Sequence, residues 1–132
     1  MSDTPHLNTL RSPLGRARGL GSARAGSHHW WAMRLTSLAL VPLTLWFIFA
    51  VIHHLAGASH QAVVEWLSAP MTMGIMLALI VATFHHLQLG LQVVVEDYVH
   101  DDRLKFTGVL LIKGLSFLLA LVCVVSVLKI GL

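Results

Sequence analysis

Three apolar runs, residues 35–52, 71–95 and 106–128, dominate the pattern of this chain. Each is near or above the ~18 residues that a helix needs to span the hydrocarbon of a bilayer. Hydrocarbon offers the backbone no hydrogen-bond partner, so each run predicts a membrane-crossing α-helix rather than a strand or a coil. The expected fold is all-α: three transmembrane helices in a bundle, with the two termini on opposite sides of the membrane. Between the first two runs, residues 61–67 predict a short helix lying on the membrane surface. Pro42 falls inside the first run, where it either kinks the helix or is absorbed by neighbouring groups.

Ahead of the first run the pattern changes. Residues 1–25 are small and polar and include Pro5, Pro13, Gly15, Gly19 and Gly21, which predicts a flexible or surface-lying arm before a three-helix domain over residues 26–132. A cleaved secretory signal does not fit, because the first apolar run begins only at Leu35 and has full spanning length. A mitochondrial presequence is the competing reading of the arm, which is enriched in Arg, Ser and Ala and holds Asp3 as its one acid.

Composition agrees with a membrane location: the 132 residues are 56% hydrophobic and 11% charged, with a mean hydropathy of +0.76. Soluble domains average about one quarter charged. The net charge of +3 reports topology rather than a polyanionic partner. Arg11, Arg16, Arg18, Arg24 and Arg34 precede the first run, residues 53–70 hold no Lys or Arg, and Arg103, Lys105 and Lys113 follow the second run. The N-terminus and second loop are therefore expected in the cytoplasm, with the first loop and C-terminus across the membrane and Lys129 a minor exception. Basic and aromatic residues are not interleaved as nucleic-acid binding would require. Cys123 lies in the third run, can form no internal disulfide and reads as packing. No phosphate loop, Cys-x-x-Cys pair or nucleophile with a base at plausible spacing is present, so the chain oxidises or hydrolyses no soluble substrate unaided.

The chemistry is concentrated in the second run, Phe84-His85-His86-Leu87-Gln88-Leu89-Gly90 continuing to Val95-Glu96-Asp97-Tyr98. Ionisable residues at membrane depth are costly and mark functional positions. At about 100° per residue, His86, Gly90, Val93 and Asp97 share one stripe, while His85 points a quarter turn away. The rise from His86 to Asp97 is roughly 16 Å, which puts the imidazole near mid-membrane if Asp97 lies at the water interface. His86 then reads either as a buried imidazole hydrogen-bonded to a neighbouring helix or as an axial haem ligand, with the missing side chain at Gly90 leaving room for a flat macrocycle. Asp97 and Tyr98 read either as a polar cap with a belt aromatic, or as a hydrogen-bond donor to a quinone carbonyl beside a carboxylate that orients it or supplies protons. Before the first run, His28-His29-Trp30-Trp31-Ala32-Met33-Arg34 forms an aromatic interfacial belt, in which Arg34 either snorkels or neutralises an anionic group of a cofactor. His53 and His54 lie where the first run leaves the bilayer and read as interface residues. Lys113 is two turns into the third helix, within snorkelling reach of the cytoplasmic side.

The pattern His86-x-x-x-Gly90-x-x-x-x-x-x-Asp97-Tyr98-Val99 on the second of three spans, with His28 and Arg34 before the first, resembles the hydrophobic membrane anchor (D) subunit of succinate dehydrogenase. The resemblance covers residues 26–132, and the run Val94-x-x-Asp97-Tyr98-Val99-His100 has the form of alphaproteobacterial and mitochondrial members. It implies a haem b held between two histidines, one at the position of His86 and the other from a companion cytochrome b subunit with which the three helices form their bundle. It also implies ubiquinone reduction near the cytoplasmic end, with Tyr98 hydrogen-bonding the quinone, Asp97 beside it, and a serine and an arginine from the cytochrome b subunit. Arg34, and less directly His28, would lie near the haem propionates. Electrons would arrive from succinate through flavoprotein and iron-sulfur subunits docked on the cytoplasmic face, in a bacterial inner membrane. Family members often carry a tryptophan between the histidine and the Asp-Tyr pair; residues 87–96 contain none, so no role passes to this chain from it. Of the doubled His85-His86, His86 is the expected ligand because it shares a stripe with Gly90 and Asp97. Two other functions stay open on the residues alone: a proton relay through His85, His86 and Asp97, and a haem-free structural anchor.

Overall fold

The computed structural model describes residues 25–132, so the arm with Arg11, Arg16, Arg18 and Arg24 lies outside the described residues. Helices are the only regular elements among the described residues. Helix α1 spans Ala25–Ala50 and continues into a π-helical segment, Val51–Leu55. A short α2, His60–Ser68, leads into α3, Pro70–Tyr98, and α4, Asp102–Gly131. Among the described residues, three helices are long and apolar enough to cross a membrane: Gly26–Leu55, Pro70–Tyr98 and Asp102–Gly131.

The boundaries follow local chemistry rather than the edges of the apolar runs. The Ala56 N–H bonds back to the Val51 carbonyl at 2.8 Å, closing the wide π turn, and Gly57 at φ 77° then takes the left-handed conformation that turns the chain out of the span. Ser59 caps α2 by accepting from the Ala62 N–H. Pro70 opens α3 at the position where a missing N–H costs nothing. Asp101 caps α4, its carboxylate accepting from the Arg103 and Leu104 amides at 2.9 and 3.0 Å. At its other end α1 begins well before Leu35, so the belt cluster is helical and extends the first span by more than two turns. Once started, a helix keeps satisfying its own backbone groups through polar residues until a cap or proline stops it. Pro42 is absorbed within α1 without ending it.

Helix α3 is central. It packs on α1 along one side and on α4 along the other, and among the described residues α1 and α4 do not pack on each other. Small residues set the closest approaches, as expected where van der Waals packing rather than hydrophobicity joins helices. A Cβ on Gly108 would meet Val95 Cγ1 at 3.2 Å, and one on Gly131 would lie 3.2 Å from the Leu67 carbonyl oxygen. Trp66 of α2 stacks on Trp46 at 5.8 Å between ring centroids and on His54 at 6.3 Å, pinning the surface helix to the end of the first span. Ala50, Leu67, Leu89 and Ser116 are the buried residues among those described. Many of the large apolar side chains of the three spans are exposed, among them Leu38, Leu45, Phe106 and Phe117.

Candidate cofactor and quinone site

The two adjacent histidines of α3 have different neighbours. His86 turns toward α1, where its Nδ1 lies 2.9 Å from Thr36 Oγ1. Thr36 is also within 2.8 Å of the Ala32 carbonyl oxygen and 3.0 Å of that of Met33, the back-bonding usual for threonine inside a helix. His86 Nε2 has no hydrogen-bond partner among the described residues. One turn on, the position of a Cβ at Gly90 is open, with nothing within 4 Å. His85 is exposed and lines an apolar groove of about 300 Å³ between α3 and α4, with Val81, Phe84, Gln88, Ser116 and Phe117.

Toward the Tyr98 end the three long helices enclose a more polar cavity of about 500 Å³. His28 and His29 from α1, Gln88, Gln92 and Glu96 from α3 and Lys113 from α4 line it. Gln92 donates to Glu96 at 2.7 Å, while His29 Nε2 is buried there without a partner. Arg34 stands on the outer side of α1 with its guanidinium 4.4 Å from the centre of the Trp30 ring, a cation–π contact. Asp97 and Tyr98 end α3 in the open, Tyr98 at 79% exposure, and the phenol has no partner among the described residues.

The fold thus brings His86 together with Thr36 and puts His28 in a cavity with Glu96. It leaves Arg34, Asp97 and Tyr98 exposed. Sequence reasoning missed Thr36, His29, Gln92 and Glu96. Thr36 was visible as a hydroxyl in an apolar run, but which side chain it meets depends on how α1 and α3 are rotated against each other. No group of three or more His, Cys, Asp or Glu side chains converges among the described residues. The donor set suits a haem: one imidazole with Nδ1 engaged and Nε2 free, beside open space at Gly90.

A family model described as the succinate dehydrogenase/fumarate reductase transmembrane subunit matches residues 8–128. The chain belongs to this family. The hydrophobic membrane anchor subunit of succinate dehydrogenase from Rickettsia bellii (strain RML369-C) is 31% identical over 119 residues, covering 89% of this chain and 94% of its own. The corresponding subunit of Paracoccus denitrificans is 29% identical, covering 71% of this chain and 72% of its own. The membrane anchor subunit of Reclinomonas americana is 28% identical over 70% of this chain and 79% of its own. No solved structure matches. The expected all-α, three-span architecture and the resemblance to succinate dehydrogenase anchors both hold: the chain is a multi-pass membrane anchor of that family.

Proposed function

We propose that this anchor supplies one axial ligand, His86, to a haem b shared with a cytochrome b subunit. Its Tyr98 and Asp97 form part of the site where ubiquinone takes up electrons derived from succinate. The observation that carries the first half is the pairing at His86: one ring nitrogen is fixed against α1, the other is free, and the adjoining turn lacks a side chain at Gly90. When bound, a haem b supplies a one-electron carrier within the span.

The work of the chain's own residues is binding and orientation. His86 offers its Nε2 from a helix that is held on both sides by its neighbours. Tyr98, unpartnered among the described residues, has its hydroxyl available to donate to a quinone carbonyl oxygen, and Asp97 next to it is available to orient the quinone or hand it protons from the aqueous edge. Arg34, at the Tyr98 end of α1, is the cation for a haem propionate, with His28 a weaker contributor. The succinate chemistry belongs to flavoprotein and iron-sulfur subunits docked at the cytoplasmic face. The setting is a bacterial inner membrane, with the N-terminus cytoplasmic and the C-terminus periplasmic, an orientation that the distribution of Lys and Arg supports.

The test is a reduced-minus-oxidised spectrum of the purified complex. His86→Ala should abolish the low-spin haem signature, and His85→Ala should leave it intact. A normal spectrum in His86→Ala refutes the ligand assignment. A wild-type complex without haem would make this member a structural anchor.

A further inference from the structure

The hydroxyl of Thr36 has one proton and three close neighbours: the carbonyl oxygens of Ala32 at 2.8 Å and Met33 at 3.0 Å, and His86 Nδ1 at 2.9 Å. If the proton pointed at Nδ1, the threonine oxygen would face two carbonyl oxygens at hydrogen-bonding distance with no hydrogen between them, and their lone pairs would repel. The proton therefore lies on the carbonyl side, where α1 has fixed it by ordinary back-bonding. What Thr36 then presents to α3 is a lone pair. His86 must donate to it from Nδ1, and a neutral imidazole protonated at Nδ1 has its free lone pair on Nε2.

We infer that Thr36 is the positioning residue of the haem ligand: it selects the Nδ1-protonated tautomer of His86, fixes the ring plane, and strengthens Nε2 as a donor to iron. The inference rests on the reading of His86 as an axial ligand and adds to it a residue on another helix. Histidines that bind metals regularly donate their second ring N–H to an acceptor of this kind, which sets tautomer and orientation and raises ligand basicity. Here the acceptor comes from α1, so the approach of α1 to α3 and the aim of the ligand are one geometric fact. The arrangement also distinguishes the two histidines without reference to the haem, because His85 faces the apolar groove on the α4 side and has no such acceptor.

The experiment compares Thr36→Val, which keeps the shape and removes the acceptor, with Thr36→Ser, which restores it, in the complete complex. The readouts are haem per assembled complex, the low-spin spectrum and the haem midpoint potential. Thr36→Val is expected to lower haem affinity roughly tenfold or more. It should also alter the low-spin spectrum of the haem that remains and raise its potential, since a weaker imidazole donor favours the oxidised iron less. Thr36→Ser is expected to return all three toward wild type. If Thr36→Val assembles poorly, Thr36→Ala removes the same acceptor without added bulk and is read in the same way. Wild-type haem content, spectrum and potential in an acceptor-less variant overturn the inference, as does a serine variant that behaves like valine. A low-spin spectrum that survives His86→Ala instead overturns the ligand reading beneath it, so the two failures are separable.

Discussion

Replacing Tyr98 by phenylalanine isolates the proposed quinone contact, because among the described residues the phenol has no other partner. The side chain is 79% exposed at the end of α3, and its hydroxyl has no partner among the described residues. Deleting one exposed, unpartnered oxygen should change the stability of the chain by no more than about 0.5 kcal/mol, the range of surface substitutions away from packed features. If the hydroxyl donates to a quinone oxygen that gains negative charge during reduction, the lost interaction is worth about 1 to 3 kcal/mol. At 1.36 kcal/mol per factor of ten, that is a fall of roughly 5- to 150-fold in quinone reduction. Succinate oxidation through a soluble acceptor that bypasses the membrane site should be almost unchanged. The measurement is the ratio of quinone-linked to bypass activity in membranes holding equal amounts of assembled complex. A Tyr98→Phe ratio equal to wild type would remove the quinone role from this helix and leave Tyr98 a belt aromatic.

Asp97→Asn should lower the same ratio and change its pH profile, since the carboxylate is assigned to orienting or supplying protons; an unaltered ratio and profile would remove it from the site. Gly90→Leu should reduce haem content while leaving the chain itself intact, because a Cβ there meets nothing within 4 Å; haem quantitation against anchor content checks this. Gly108→Leu should do the opposite, destabilising the α3–α4 contact by about 1 to 3 kcal/mol through overpacking. A Cβ at that position already lies 3.2 Å from Val95 Cγ1, and a detergent-melting curve of the complex reads the loss. Reporter fusions should place Asp102 on the cytoplasmic side and Leu132 across the membrane, and a cytoplasmic Leu132 would contradict the orientation.

Much of this architecture was open to a reader of the sequence because hydrocarbon imposes so few solutions. Runs of about 20 apolar residues can only be helices there, and Pro70 and Asp101 carry the start signals of α3 and α4 on their face. The short helix expected at residues 61–67 appears as His60–Ser68. The divergence of His85 from His86 also followed from helical period alone. What did not follow is anything needing two helices at once. The contact of His86 with Thr36, the stacking of Trp46 on Trp66 and the polar cavity around His29 all depend on the mutual rotation and depth of separate spans, which no single run encodes. The early start of α1 was hidden for a different reason: hydropathy marks what the bilayer demands, whereas hydrogen bonding continues the helix through polar residues that the bilayer does not need.

The scarcity of interior in this chain bears on how its abundance is regulated. With Ala50, Leu67, Leu89 and Ser116 as the buried residues among those described, little intramolecular packing would be lost if the helices drifted apart in lipid. His29, Glu96 and Lys113 gather in a cavity between the spans, polar groups that an isolated subunit would keep at the edge of the bilayer without a companion protein to cover them. An isolated copy would thus hold its helices together through few buried side chains and leave many large apolar side chains uncovered. Its persistence should depend on other subunits covering those faces, and a pulse-chase of the chain made with and without the rest of its complex reads the difference.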